Sequence, residues 1–144
     1  MYSMAILYTP EKDIIKEYIS VFSSVFEKNG IKVSIINAGN ALITDIISSN
    51  IVIFGAEDET EKKTQADFKE IIRALKGVNL AGRFCGFISF NKKSTSLVFK
   101  KALSDTGIGI FKDELILDSV KINKKFVKSW ALELLKDFKA NLHE

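Results

Sequence analysis

Short apolar runs alternate with stretches of helical periodicity along this chain, and this alternation restricts the fold more than any other feature. Residues 4–8, 50–55 and 84–90 are almost entirely apolar, and residues 32–37 are rich in β-branched side chains. Runs of this kind are typical of strands that are buried on both faces. A fifth strand is predicted within residues 111–122. The pattern therefore predicts a sheet that is covered on both sides.

Helical periodicity fills the segments between the strands. The first amphipathic stripe consists of Ile15, Tyr18, Ile19, Phe22, Val25 and Phe26. Similar spacing predicts helices over residues 65–76, 94–106 and 125–142, with a short helical or irregular link at 41–49. Strands that alternate with helices through short loops form parallel sheets. We therefore predict an α/β fold of three layers, with helices on both faces of a five-stranded parallel sheet.

Length and composition predict a single globular domain, 1–144. The chain has 144 residues, of which 47% are hydrophobic and 27% are charged. Its net charge of +3 comes from interleaved basic and acidic residues, which indicates a mixed, solvated surface. No apolar run approaches the roughly 18 residues of a membrane span, and no signal peptide is recognisable. We therefore expect a cytoplasmic location, with neither a membrane nor a nucleic acid as a partner.

Residue types that commonly perform catalysis are scarce. Cys85 is the only cysteine and lies in an apolar run, where a thiol is typically buried and inert. His143 is the only histidine and lies next to the carboxyl end of the sequence. We therefore expect no Ser–His or Cys–His pair, no catalytic residue and no metal site.

Residues 8–13 join the first strand to the first helix, at the point where nucleotide-binding α/β proteins hold a phosphate. Phosphate loops need glycine for close backbone approach, with hydroxyl or amide groups directed at the anion. This turn has no glycine and contains Glu11 and Asp13. It matches a helix start instead, with Thr9 as the cap, Pro10 in the first position and Glu11 complementing the helix dipole. The pattern favours a structural turn over a phosphate site.

Several segments resemble the short-chain flavodoxins, and the resemblance covers nearly the whole chain. Residues 49–55 are similar to the third strand of that family and its glycine, and residues 68–72 are similar to the helix that follows. Residues 80–84 lead into the fourth strand, and residues 99–103 precede Gly107 at the spacing of the fourth helix. The resemblance implies a sheet of order 2-1-3-4-5, with a ligand at the carboxyl ends of strands one and three.

Flavodoxins hold flavin mononucleotide (FMN) with three loops at that edge, so the resemblance implies FMN as a cofactor. The phosphate-binding pattern of the family, Ser/Thr-x-Thr-Gly-x-Thr, falls on Pro10, Lys12, Asp13 and Ile15, and none of these residues matches it. The second loop, residues 56–64, lacks the aromatic residue that stacks on the flavin in that family. These two loops predict that FMN binds weakly or not at all.

The third loop follows strand four and offers Phe90 as its one aromatic candidate. This residue is equally consistent with a flavin platform and with a core position at the end of a strand. If FMN binds, the residues expected to contact it are Thr9, Lys12, Ser89, Phe90 and Asn91.

Three functional interpretations stay open. The first is a flavodoxin-like protein with a degenerate flavin site, acting as a non-catalytic binding or regulatory module for a protein partner. The second is an FMN-binding flavodoxin that carries electrons at low potential. The third resembles the receiver domain of a response regulator, in which Glu57, Asp58 and Glu59 would join Glu11 and Asp13 in a carboxylate cluster. Asp58 would then accept a phosphoryl group.

Overall fold

The strands and helices follow the order that the sequence predicts. A computed structural model describes residues 1–58, 60–118 and 122–142. The strands are β1 (Tyr2–Thr9), β2 (Ile31–Asn37), β3 (Ile51–Ala56), β4 (Phe84–Ser89), β5 (Gly109–Ile110) and β6 (Leu115–Ile116). The helices are α1 (Asp13–Lys28), α2 (Ile43–Ile47), α3 (Lys62–Ala74), α4 (Leu97–Leu103) and α5 (Lys124–Asn141), with a short 3-10 helix at Ala38–Asn40. None of the helices in the described ranges has the length and apolar character needed to span a membrane.

All of the paired strands are parallel, and their order is β2-β1-β3-β4-β5, which confirms the predicted 2-1-3-4-5 arrangement. A sixth strand, β6, also pairs with β4. In the register of the sheet, Thr9 lies opposite Ala56, and Ala56 lies opposite Ser89. The carboxyl ends of β1, β3 and β4 therefore form one aligned row.

Alternation along the central strands divides the core into two layers, one on each face of the sheet. In β1, Ile6 and Tyr8 belong to the layer that contains the buried residues of α1 and α5. The intervening residues Ala5 and Leu7 belong to the layer that contains those of α3 and α4. The predicted apolar stripe of α1 is buried along its whole length. The three-layer prediction is confirmed.

The last strand differs from the prediction. Two short segments pair with β4 in place of one strand over residues 111–122, and residues 111–114 lie between them. Three consecutive charged residues fall in this stretch, and burying them inside a sheet without partners would be costly. Nε1 of Trp130 donates a 2.8 Å hydrogen bond to the carbonyl oxygen of Asp113, which ties the interruption to α5. Residues 119–121, the end of the predicted strand, lie outside the described residues.

The carboxylate of Glu114 connects this interruption to the loop before α4. It accepts hydrogen bonds from the hydroxyl groups of Ser94 and Ser96 at 2.7 and 2.5 Å, and from the backbone N–H of Thr95 at 3.0 Å. Bonds to an ionised acceptor are stronger than those between neutral groups. Because these three residues bind Glu114, α4 begins at Leu97, three positions after the predicted start.

We predict that Glu114→Ala lowers the free energy of unfolding by about 2 kcal/mol, because three donors lose a charged acceptor. Urea denaturation followed by circular dichroism measures the change. Glu133→Ala, at an exposed position of α5, is the matched control and should stay within about 0.5 kcal/mol of the wild type. Equal stability of the Glu114 variant and the wild type would contradict the role assigned to this carboxylate.

Candidate functional site

Three loops meet at the carboxyl edge of the sheet, where the register places Thr9 and Ser89 on either side of Ala56. In open α/β sheets this edge is where ligands bind. The loops comprise residues 10–12 after β1, residues 57–61 after β3 and residues 90–96 after β4. We call this region the carboxyl edge.

Thr9 ends β1 and does not cap α1, so the predicted helix start is wrong. Its buried Oγ1 donates a 2.6 Å hydrogen bond to Oδ2 of Asp67 on α3. The Thr9–Pro10 peptide bond is cis, and the N–H of Lys12 donates to the carbonyl oxygen of Pro10 at 3.0 Å. The helix begins at Asp13, and Lys12 at its N-cap makes no side-chain capping bond. Pairing with β3 holds Thr9 in extended backbone, away from the cap position.

The carboxylate of Glu11 is held by three donors from three different elements. The hydroxyl of Tyr8 and Nδ2 of Asn37 donate to Oε1 at 2.9 and 3.0 Å. Nζ of Lys16 lies 2.8 Å from Oε2. Asn37 is oriented for this contact because its Oδ1 accepts a 2.9 Å hydrogen bond from the N–H of Gly39. Glu11 therefore links β1, β2 and α1, and its negative charge lies in the turn where a nucleotide-binding protein would hold a phosphate.

These contacts change the pKa of each partner. Hydrogen bonds from Lys16, then Tyr8 and Asn37, lower the pKa of the Glu11 carboxyl. Burial, followed by the hydrogen bond to Glu11, raises the pKa of Tyr8. The hydrogen bond to Glu11 also raises the pKa of Lys16. At neutral pH the network therefore consists of an ionised glutamate, an ionised lysine and a neutral tyrosine.

An ion pair joins the first loop to the second. Nζ of Lys12 lies 2.6 Å from Oε1 of Glu57, whose side chain is only 11% exposed. This hydrogen bond raises the pKa of Lys12. The next acid, Asp58, accepts hydrogen bonds from the hydroxyl of Thr60 at 2.7 Å and from its backbone N–H at 2.9 Å, and both lower the pKa of Asp58. Glu59 lies outside the described residues.

The predicted carboxylate cluster is divided among separate partners. Glu11 binds Lys16, Glu57 binds Lys12, and Asp58 binds its own loop. Within residues 1–58, 60–118 and 122–142, no group of three or more His, Cys, Asp or Glu side chains is arranged to hold a metal ion. A receiver site requires several carboxylates that bind one cation together, whereas Glu11, Glu57 and Asp58 bind separate partners.

Two candidates of the third loop, Ser89 and Phe90, are directed into the protein. Oγ of Ser89 donates a hydrogen bond to the carbonyl oxygen of Lys93. The ring of Phe90 is fully buried, with its centroid 6.2 Å from that of Tyr18. Gly55 makes room for this ring, because a Cβ atom there would lie 2.9 Å from Cε2 of Phe90. Phe90 is therefore a core residue in this structure, and its ring offers no exposed face to a ligand.

Three of the five candidate FMN contacts have polar groups that are already bound to other groups of the chain. Thr9 binds a carboxylate, Lys12 binds another, and Ser89 binds a backbone carbonyl. Asn91 lies at the same edge and is partly exposed, whereas Phe90 belongs to the core.

The sequence prediction missed Asp67, which binds Thr9, and Asn37, which binds Glu11. Asp67 lies 58 positions from Thr9, a separation over which periodicity carries no information. Asn37 could have been found from the predicted strand order, because parallel pairing of two strands of similar length places it opposite Tyr8.

No protein-family model matches this chain, and no curated protein sequence matches it. Solved structures do match. A short-chain flavodoxin associated with a non-canonical PDU bacterial microcompartment superposes with a TM-score of 0.79 and 15% identity, over 96% of this chain and 99% of that one. The fold is flavodoxin-like.

Two further flavodoxins have the same fold. Oxidised flavodoxin 2 from Bacillus cereus has a TM-score of 0.78 and 10% identity, over 94% of this chain and 99% of that one. A flavodoxin from Fusobacterium nucleatum, bound to flavin mononucleotide, has a TM-score of 0.70 and 13% identity, over 96% and 99%. At these identities the similarity establishes a shared fold and does not establish a shared ligand.

Three side-chain donors at the carboxyl edge are bound to carboxylates of the chain. A phosphate needs N–H and O–H donors that are free to point at it. Here the hydroxyl of Thr9 is bound to Asp67, and the ammonium groups of Lys12 and Lys16 are bound to carboxylates. The charge of Glu11 lies in the same turn. A phosphate that used these three side chains would have to displace their internal partners.

We predict that Glu11→Gln makes stability less dependent on pH in the acidic range. The pKa of Glu11 is lowered by folding from 4.5, so its ionised form stabilises the fold above that pH. This contribution is lost as the pH falls through the folded pKa. Wild type and variant should therefore differ near pH 7 and converge as the pH falls through the lowered pKa of Glu11.

Urea midpoints measured across this pH range provide the test. Glu17→Gln, at an exposed position of α1, is the charge-matched control. A difference between wild type and Glu11→Gln that stays constant with pH would contradict the prediction.

Cys85 is predicted to be unreactive in the folded protein. Its thiol is buried in β4, and burial raises the pKa of Cys85 to about 12. Almost no thiolate is then present near pH 8, where thiol reagents are used. Ellman's reagent should label the protein only after urea is added. Rapid labelling without urea would show that β4 opens to solvent.

Proposed function

We propose that this protein is a flavodoxin-like module that works without flavin, by binding a protein partner and without catalysing a reaction. One observation carries the proposal: the donors at the carboxyl edge that would suit a phosphate are bound to carboxylates of the chain itself. Thr9 is hydrogen-bonded to Asp67 of α3. Lys12 of the first loop is ion-paired with Glu57 of the second loop.

Electrostatics in the turn after β1 supports the proposal. A phosphate placed there would face the carboxylate of Glu11, and two unit charges about 4 Å apart repel by about 4 kcal/mol at an effective dielectric near 20. Lys12 and Lys16 would offset this repulsion only by leaving their present carboxylates. For Glu57, whose side chain is largely buried, loss of Lys12 would leave a poorly solvated charge.

The flavin ring would also lack aromatic contacts at this edge. Phe90 is buried beside Gly55, and the second loop contains no aromatic residue in its sequence. Aromatic pairs contribute about 0.5–1.5 kcal/mol each beyond the area that they bury. A flavin would therefore be without both its phosphate donors and its ring contacts.

The alternative is an FMN-binding protein that carries electrons at low potential. It is favoured by the similarity to the Fusobacterium nucleatum flavodoxin that is bound to FMN. In this alternative Thr9, Lys12, Ser89, Phe90 and Asn91 contact the cofactor. The first two would have to release their carboxylates, and Phe90 would have to leave the core.

Titration with FMN tests the proposal, with riboflavin as the control that lacks the phosphate. We expect the purified protein to be colourless and the fluorescence of either flavin to stay unchanged up to about 100 µM protein. A flavodoxin stripped of its FMN serves as the positive control for the assay.

Micromolar or tighter binding of FMN, clearly stronger than that of riboflavin, would overturn the proposal in favour of the electron carrier. Glu11→Gln distinguishes the two physical reasons for exclusion. We expect this variant to remain without flavin, because Thr9 and Lys12 keep their carboxylate partners. Binding by the variant alone would assign the exclusion to the charge of Glu11.

A further inference from the structure

A groove with a volume of about 570 Å³ lies between α3 and α4. It is on the face of the sheet opposite α1 and α5, away from the network around Glu11. Both helices contribute to its apolar part. The apolar lining residues are Ala66, Phe68, Ile72, Val98 and Phe99. We call this feature the α3–α4 groove.

The floor of the α3–α4 groove is part of the core. Phe99 is 2% exposed, and its ring centroid lies 4.7 Å from that of Phe68. Its centroid lies 5.0 Å from that of Phe54 in β3 and 6.1 Å from that of Phe87 in β4. These ring contacts hold the floor in place. The floor of the groove is therefore ordered before a partner arrives, which reduces the cost of binding.

Apolar side chains beside this floor are open to solvent. Val98, which lines the groove, is 37% exposed, and its neighbour Leu97 is 63% exposed. Exposed apolar groups that adjoin a groove are typical of surfaces that bind another molecule. This edge of α4 can therefore contact apolar side chains of a partner.

A line of four cations follows the groove on its α3 side. Lys62, Lys69 and Arg73 lie on one face of α3, at separations of seven and four positions, and Lys76 lies in the turn that directly follows the helix. At about 1.5 Å per residue the line is about 21 Å long. Among the described residues no acid lines the groove, and only Arg73 has an ion pair, a 3.7 Å contact with exposed Glu70. The groove is apolar at its centre and positively charged along one side.

We propose that the α3–α4 groove binds an acidic amphipathic helix of a partner protein. A helix of about 14 residues matches the length of the cationic line. Its acidic side chains would face the lysines, and apolar side chains spaced by three or four residues would contact Val98 and the surface above Phe99. Charge complementarity is the reason for an acidic partner. The proposal does not depend on whether the carboxyl edge binds a flavin.

Other occupants fit this surface less well. Nucleic acid typically stacks its bases on exposed aromatic rings, whereas Phe68 and Phe99 are each 2% exposed. The two longest described helices of a second copy are not strongly acidic, because α1 has three acidic and two basic residues and α5 has two acidic residues and five lysines. A small amphiphile is shorter than the line of cations and would leave part of it unpaired.

The test uses the full chain labelled with nitrogen-15 and a synthetic helical peptide of about 16 residues. The peptide has leucines at positions i, i+3 or i+4, and i+7, with glutamates along one flank. We expect saturable changes in amide chemical shift that are concentrated in residues 62–76 and 97–99. No change at millimolar peptide, or changes centred elsewhere, would overturn the proposal. A peptide with lysines in place of the glutamates should bind about tenfold more weakly.

Charge reversal on α3 tests the cationic line. The double variant Lys69→Glu, Lys76→Glu should bind the acidic peptide at least about tenfold more weakly than the wild type. The matched control is Lys128→Glu, Lys136→Glu at exposed positions of α5, which has the same net charge and should lose less than about twofold. Equal losses in both double variants would show that the attraction is non-specific and would overturn the assignment of the site.

A pair of single variants tests the apolar part of the α3–α4 groove. Val98→Asn should weaken binding by roughly fivefold, and Leu132→Asn on α5, at a similarly exposed position, should leave it unchanged. An unchanged affinity in the Val98 variant would contradict the amphipathic mode. Sodium decanoate serves as the small-amphiphile probe. If decanoate saturates the same amide shifts at lower concentration than the peptide, the groove belongs to a small amphiphile and the proposal fails.

Discussion

Parallel pairing of β1 with β2 and β3 is the constraint on which the rest of the structure depends. It brings the carboxyl ends of the strands into one row, so that loops far apart in sequence meet at one edge of the sheet. It also directs alternate residues of each strand to opposite faces, which produces the two apolar layers under the helices. Both the network around Glu11 and the floor of the α3–α4 groove are consequences of this pairing.

At the carboxyl edge, carboxylates of the chain are paired with cations and other donors of the same chain. Glu11 binds donors from β1, β2 and α1, and Glu57 is ion-paired with the ammonium group of Lys12. Such contacts connect the elements of the edge to one another without a ligand. A shared fold does not require shared chemistry at this edge, although Tyr8 belongs both to the core and to the network around Glu11.

Most of the helices and strands could be predicted because their signal is local. The stripe of α1 repeats within a few residues, and its burial follows from that period alone. The divided last strand could not be predicted in the same way. Its interruption depends on Trp130 holding the carbonyl of Asp113 and on Glu114 binding the loop before α4, contacts made across 17 to 20 positions. Periodicity carries no information about contacts of that separation.

The amino-acid sequence by itself determined the alternation of strands and helices, and therefore the layered α/β fold. It also determined that the turn after β1 has no glycine and contains acids. Only the tertiary structure decided that Thr9 binds Asp67, that Phe90 is a core residue, and that the cations of α3 lie beside the apolar surface of α4. The physical reason is range: backbone preference and periodicity act between near neighbours, whereas these contacts form only when the sheet brings distant segments together.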